Sequence, residues 1–269
     1  MTGCSCGHHH PHHHHDDDTG VPAPLTRPMV GLSGRLICAN TAELMIAMAL
    51  LPAHITASRA EPGCLRFDLW QDDDPHIWHL REVFTDDAAF AAHQTRTAAS
   101  EWGQASTAIR RDFDRRAMNP LIRAETAADH DAIDALLNAA FDTETESALV
   151  RNLRADGDLP VSLIAHADGV AIGHAALSPL TAERPAFALA PVAVHPAMQT
   201  RGLGLALTRA AIAAANGAPV VVLGDPAYYA RAGFQPADLQ SPYTGDALQI
   251  YGDLPKGSAI THAPAFARL

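Results

Sequence analysis

Apolar residues along this chain recur with two periods, and the period switches several times. Leu44, Met48, Leu51 and Ile55 lie three and four residues apart, which predicts a helix over 42–60 with one apolar face. Asn40 or Thr41 is placed to cap it, Pro52 is a point of kinking inside it, and Glu61-Pro62-Gly63 ends it. Strands are expected over 30–39, 64–71, 76–84 and 109–116, the middle two joined as a hairpin by Asp72-Asp73-Asp74-Pro75. A helix of mixed polarity fills 86–100. Beyond residue 118 a second series begins. It opens with a short strand over 121–124 and a helix, capped by Thr126 or Asp129, whose apolar face is Ile133, Leu136, Leu137, Ala140 and Phe141. A helix over 144–154 follows. Strands over 161–166 and 170–178 alternate around Asp168-Gly169, a strong hairpin signal. Then come a strand over 187–194, a helix over 202–215, a strand over 219–223, a helix start at Pro226, and closing strands over 247–251 and 259–262.

The first series runs βαββαβ, the order of a ferredoxin-like α+β half-barrel, and the second is a mixed α/β arrangement. Two α+β domains are therefore expected, 28–118 and 119–269, in keeping with roughly 100–200 residues per domain. Ahead of them, residues 1–27 read as a disordered His/Cys-rich tail followed by a Pro-rich, extended linker (VPAPLTRP).

Composition narrows the function. Apolar residues make up 48% of the chain, ample for a core, and the formal charge of -11 argues against a nucleic-acid partner. No run approaches the roughly 18 apolar residues of a membrane span, and the N-terminus lacks a signal peptide's apolar stretch, so no membrane partner is expected. Cys38 and Cys64 lie in apolar runs and read as reduced core residues. In the tail, Cys4, Cys6, His8, His9, His10, His12, His13, His14 and His15 offer thiolates and imidazoles that suit zinc, nickel or copper. An expression tag is the plainer reading of such a run, but Pro11 interrupts it and Cys4-Ser5-Cys6 precedes it, which favours a native metal-binding tail.

The stretch around which the second half is organised is LAPVAVHPAMQTRGLGLAL, residues 189–207. An apolar strand feeds a helix whose first turn carries Gly202 and Gly204. The first N–H groups of a helix lack internal partners and its dipole favours negative charge, so such a start holds phosphate. The spacing lacks the third glycine and distant acid of a dinucleotide fold, and no Gly-Lys-Ser/Thr of a Walker loop follows. Gln199-x-x-Gly202-x-Gly204 resembles the acetyl-CoA motif Gln/Arg-x-x-Gly-x-Gly/Ala of the GNAT superfamily of N-acetyltransferases. Residues 220–237, VVVLGDPAYYARAGFQPA, resemble that family's next strand and helix. Further matches are Arg123 with Asp129 and Ile133, Ala140-Phe141, Glu146, Leu153-Arg154, Gly173-His174, Gly224-Asp225-Pro226 and Ala263-Pro264-Ala265-Phe266.

The resemblance implies a set of roles. The loop Gln199, Thr200, Arg201, Gly202, Leu203, Gly204 would hold the pyrophosphate of acetyl-CoA. The strand residues Val192, Ala193 and Val194 would pair with the pantetheine arm, and a backbone N–H there would polarise the thioester oxygen. Tyr229, four residues before Gly233, matches the family's general acid, with Tyr228 as packing. Glu146 is the candidate base, with His174 and His195 as further ones and solvent as another route. Thr200 departs from a common Gly, at little cost if its backbone is in an ordinary conformation. The acceptor would be a small-molecule or protein amine, and the compartment the cytoplasm, where acetyl-CoA is made.

In the first half, Glu61-Pro62-Gly63-Cys64-Leu65, Asp74-Pro75, Glu82-x-Phe84, Asp86 to Ala88 and His93 resemble the antibiotic biosynthesis monooxygenase (ABM) domain. Members pair their sheets, which implies a homodimer here, since one such sheet leaves an apolar face uncovered. A monooxygenase site would draw its base from His93, His79 or His76, with Trp78 as an aromatic wall; His93 reads first as a helix residue holding the sheet and only second as a base. The leading reading is an acetyl-CoA-dependent N-acetyltransferase with an ABM-like domain. The alternatives are a cofactor-independent quinol-type monooxygenase with an accessory GNAT domain, and a non-enzymatic metal sensor or store.

Overall fold

In the computed structural model, which describes residues 19–243 and 245–269, the chain enters as a two-residue strand, β1 (Val21–Pro22). It lies antiparallel to the opening strand of the second domain, Val21 opposite Ile122 and Pro22 opposite Leu121. Ala23 and Leu25 are buried in the core of the second domain, and Leu25 N–H donates to Asn119 Oδ1. The linker is extended, as its prolines suggest; what the pattern does not predict is that its alternate apolar side chains dock it on the second domain as a clip. The metal-ligand candidates from Cys4 to His15 lie outside the described residues. Among the described residues, no group of three or more His, Cys, Asp or Glu side chains is arranged to hold a metal.

The first domain is β2 (Met29–Ile37), α1 (Thr41–Arg59), β3 (Cys64–Gln71), β4 (Ile77–Phe84), α2 (Asp87–Ala99), α3 (Glu101–Ala105) and β5 (Arg110–Met118). Its antiparallel sheet has the order β3-β4-β2-β5, the ferredoxin-like arrangement. Asn40 caps α1 by accepting from Glu43 N–H, and Asp86 caps α2 by accepting from Ala89 N–H. The helices cover one face, burying Leu36, Leu51, Trp102 and Ile109 in one cluster and Leu32, Phe67 and Leu80 in another. The short helix α3 was not expected from the pattern; Ser100 caps it and Trp102 pins it to the core.

Two expectations about this domain need correcting. The helix α1 is, by length and composition alone, apolar enough to cross a membrane, because Leu, Met, Ile and Ala occupy more than its inner face; Met45 and Met48 are exposed. In the fold it is the helix that packs on β3. The outer sheet face, from which a homodimer was inferred, is not apolar. Its cross-strand neighbours are Asp68 and Arg81, Trp70 and His79, and the ion pair Arg35–Asp112. Its apolar end, Met29 and Val83 with Leu65 and Met118, packs into the core of the second domain.

The second domain continues with β6 (Leu121–Ala124), α4 (His130–Ala140), α5 (Thr145–Asp156), β7 (Val161–Ala167), β8 (Val170–Thr181), β9 (Ala186–Val194), α6 (Leu203–Ala214), β10 (Val220–Leu223) and α7 (Pro226–Ala230). Short strands β11 (Gln235–Pro236), β12 (Leu239–Gln240), β13 (Leu248–Tyr251), β14 (Ser258–Ala259) and β15 (Thr261–His262) close it. The main sheet runs β1-β6-β7-β8-β9-β10-β13-β11, with β15 on β8. Thr126 and Asp129 form a capping box ahead of α4, and Arg123 grips Asp129 in a fork. Asp168 and Gly169 turn the β7–β8 hairpin at positive φ, as the Asp-Gly signal requires.

That hairpin tip is also a clamp between domains. Arg81 of β4 forms a two-pronged ion pair with the Asp168 carboxylate at 2.9 and 2.7 Å, and Arg116 of β5 adds a third contact at 3.1 Å. Arg66 of β3 donates to the Asp168 carbonyl. The two domains therefore share an apolar cluster as well as this ionic one.

Candidate active site

The central strand β9 carries the feature that makes a site. It pairs with β8 at residues that sum to one register from Gly173↔Val194 to Ala175↔Val192, and to another from Leu177↔Leu189 onward. The extra residue is a bulge at Ala190-Pro191. On its other side β9 runs parallel to β10 only at Val220↔Phe187 and Val221↔Ala188, although β10 continues to Leu223 against β13. From Leu189 to Val194, then, no pairing with β10 is made. The two strands splay, and the splay opens a cleft of about 480 Å³.

The cleft is walled by Val192 and Val194, by Gln199, Thr200, Gly202, Leu203 and Gly204, and by Tyr228, Tyr229 and Arg231. The sequence-predicted strand and loop residues therefore come together here, with two exceptions. Ala193 points through the sheet to Ile133 and Leu137, as period-two alternation demands, so only its backbone faces the cleft side. Arg201 is buried, and its guanidinium leaves the loop for the first domain, donating to Thr85 O at 2.5 Å and Asp86 Oδ2 at 2.9 Å.

The loop itself is set by alternating backbone signs. Gly202, the residue before α6, has φ +93°, and Thr200 has φ +63°. Such alternation gathers successive N–H groups into a concavity that suits an anion, at the positive end of a helix dipole. A Cβ on Gly202 would meet nothing within 4 Å, so the space over the loop is open. The condition under which Thr200 would cost little is not met: this β-branched residue is left-handed. Leu203 is fully buried and anchors the helix start, while Gln199 Nε2 donates back to Val194 O at 3.3 Å. Gly204 has a different purpose. A Cβ there would lie 2.5 Å from Tyr228 Oη, so only glycine lets that hydroxyl reach the helix and bond Thr208.

The tyrosine pair spans the cleft floor. Tyr229 lies edge-on to Tyr228 and Phe234, with its ring against Gly224. Burial, then the neighbouring Tyr228, pushes its hydroxyl pKa up to about 12. Tyr228, expected as packing, lines the cleft too, and burial raises its pKa. Arg231 is the cation at the cleft, a residue the sequence did not single out, since a lone Arg beyond a Tyr pair carries no signal.

The candidate bases fall elsewhere. Glu146 sits in the first turn of α5 beside Thr143 and is not among the cleft residues. His174 is fully buried on the opposite side: its Nε2–H donates to Ser162 Oγ at 2.8 Å, and Ser162 donates to Glu125, which Arg154 holds in a fork. Burial first of all drives its pKa down to about 4. It is a neutral structural residue. His195 caps the turn after β9, its Nδ1 accepting from Ala197 N–H, and lines a separate hollow with Arg66 and Asp68.

In the first domain, His93 is buried between α2 and the sheet. Its Nδ1 meets Glu61 Oε2 at 2.9 Å, and its Nε2 lies 4.0 Å from Glu82 Oε1. Burial is the first cause of its lowered pKa. It borders a cavity of about 120 Å³ together with His54, Trp102 and Glu82. Trp78 packs inward with Trp102's cluster, whereas His79 stacks on Trp70 and bonds Asp72, and His76 bonds Asp74 in the turn. These histidines do not converge on one site.

Comparison with known proteins agrees with this geometry. Residues 130–234 match the family model "Acetyltransferase (GNAT) family", and residues 47–105 match "Antibiotic biosynthesis monooxygenase". The chain is 38% identical over 143 residues to the uncharacterised N-acetyltransferase YhbS of Escherichia coli K12, spanning 49% of this chain and 86% of that protein. The crystal structure of E. coli YhbS in complex with CoA is similar with a TM-score of 0.54 and 34% identity, over 57% of this chain and 95% of that one. A GNAT acetyltransferase from Brucella melitensis, solved in complex with acetyl-CoA, is 34% identical with a TM-score of 0.49, over 55% and 97%. The matches to YhbS and to the family model, over a chain with a splayed β9–β10 cleft, make the second half of this protein a member of the GNAT acetyltransferase family, joined to an ABM domain.

Proposed function

We propose that this protein is an acetyl-CoA-dependent N-acetyltransferase acting on an amine. The observation that carries the reading is the cleft where β9 and β10 part, closed at one end by the left-handed Thr200 and Gly202 before α6. The open space above Gly202 and the unpaired edge of β9 fit the group: backbone N–H groups of residues 200–204 would hold its phosphates, with Arg231 nearby, and residues 192–194 would pair with its arm. Bound there, acetyl-CoA supplies an activated acyl thioester. Tyr229 Oη keeps its proton throughout the physiological range, being held near pH 12, and is the donor in the cleft for a departing thiolate. No imidazole or carboxylate is among the cleft residues, so the acceptor amine delivers its proton to solvent. Two free cysteines, Cys38 and Cys64, the latter's thiol pushed up to about 12 by burial, support a reducing compartment such as the cytoplasm.

Calorimetric titration of acetyl-CoA into the protein tests the reading. Micromolar affinity, about -8 kcal/mol, is expected, and Gly202→Glu should abolish it, since the new side chain is strained at φ +93° and carries charge into the anion site. Tyr229→Phe should leave the affinity within about twofold and lower kcat by about 100-fold or more. Absence of binding at millimolar acetyl-CoA would remove the reading.

A further inference from the structure

Arg201 stands in the middle of the phosphate loop, yet it is 7% exposed while its neighbours Thr200 and Gly202 are open to solvent. Both of those neighbours are left-handed. A loop with two such residues on either side of one position is not held by its own backbone preferences; a β-branched residue at positive φ is costly, and glycine is free to leave. What holds it is tertiary. The Arg201 guanidinium spans to the first domain, donating to the Thr85 carbonyl and the Asp86 carboxylate. Its own carbonyl accepts from Thr26 N–H of the N-terminal clip at 3.4 Å. Asp86 is itself fixed, because its other oxygen caps α2, and Arg27 lies 3.7 Å from it. The Asp168 clamp keeps the two domains from sliding past one another.

We propose that Arg201 is a positioning residue through which the ABM domain braces the acetyl-CoA loop, so that cofactor affinity in the second domain depends on Asp86 in the first. The inference rests on the acetyl-CoA reading of the cleft. Its physical basis is preorganisation: a loop already held in the anion-binding conformation spends less of its interaction energy on ordering when the ligand arrives. The guanidinium does not face the cleft, so its effect passes through the loop backbone and not through contact with phosphate.

The test is a double-substitution cycle on the full chain, read by calorimetry with acetyl-CoA and by steady-state kinetics. Asp86→Ser keeps a good helix cap but is too short to reach Arg201. Arg201→Met keeps the buried stem and removes both donors. Each single variant is expected to raise the acetyl-CoA Kd and KM by about tenfold, with kcat within about twofold. The double variant should do no worse than about tenfold, because both changes cut one link. Arg201→Lys, with one donor site instead of a fork, should fall between. Amide hydrogen exchange at residues 200–204 of the unliganded variants should quicken relative to wild type, a readout independent of affinity. Wild-type affinity in both single variants, or additive effects approaching 100-fold in the double, overturns the brace and leaves the cofactor site intact. No binding by the wild-type protein removes the acetyl-CoA reading and the brace with it.

Discussion

Thr200 shows how much one dihedral angle can carry. A β-branched residue at φ +63° costs about 1–2 kcal/mol relative to glycine in the same place. Part of that returns as lower chain entropy before folding. Thr200→Gly should therefore stabilise the protein by about 0.5–1 kcal/mol, visible as a higher denaturant midpoint with an unchanged slope. A fall in midpoint would mean that the threonine side chain contributes a contact larger than its strain. At the same scale, Gly202 and Gly204 look alike in sequence and differ in purpose. Gly202 is needed for its sign of φ and for open space, Gly204 for the approach of Tyr228 Oη. The spacing of the motif was legible at once, whereas the reason for each glycine appears only when φ and the neighbours are known.

At the scale of elements, helix α2 is joined to its sheet by buried ionisable groups as well as by apolar contact. Glu61 receives His93 and Arg96, and Arg96 also reaches Ser58 on α1. Glu82 on β4 is 3% exposed, with Oε2 unpartnered, and burial followed by the nearby Glu61 raises its pKa to about 8. Its folded pKa therefore lies above the ordinary 4.5. Between those two values the unfolded chain has lost a proton that the folded chain keeps, so stability declines as pH rises from about 4.5 to about 8. Glu82→Gln should remove that slope. Between pH 5 and pH 8 the stability of the variant should gain on that of the wild type by about 3 kcal/mol, read from unfolding at each pH. Equal differences at the two pH values would mean that Glu82 is ionised in the fold. The element boundaries themselves were close to those expected, because capping residues and apolar periods are local signals. The short helix α3 escaped notice because five residues are too few to show a period.

At the scale of the molecule, the two domains are one mechanical unit. Met29 and Val83 of the first share a core with Leu177, Leu203 and Leu207 of the second, and the N-terminal clip contributes Ala23 and Leu25 to it. A chain beginning at residue 28 should be less stable than one beginning at residue 19 by about 2–4 kcal/mol, and melt lower, from the lost burial of Leu25 and the lost β1 pairing. Equal melting temperatures for the two would show that 19–27 is a passive linker after all. The charged outer face of the β3-β4-β2-β5 sheet has a place in the same assembly: Arg66, Arg81 and Arg116 meet the tip of the β7–β8 hairpin through Asp168.

The sequence by itself determined the two-domain α+β organisation, the longer helices and strands, and the Gln199-x-x-Gly202-x-Gly204 loop, because each of these is written in residues a few positions apart. Tertiary structure alone decided the rest. The bulge at Ala190-Pro191 and the parting of β9 from β10 depend on pairing between distant strands. The removal of Glu146 and His174 from the cleft depends on which side of a sheet or helix faces inward. Arg201 and Asp86 are 115 residues apart, and Arg81 and Asp168 are 87 apart. In sequence Arg201 reads as a phosphate-loop residue, Asp168 as a turn residue and Asp86 as part of the ABM resemblance, and only the docking of one domain on the other makes these charges the link between them.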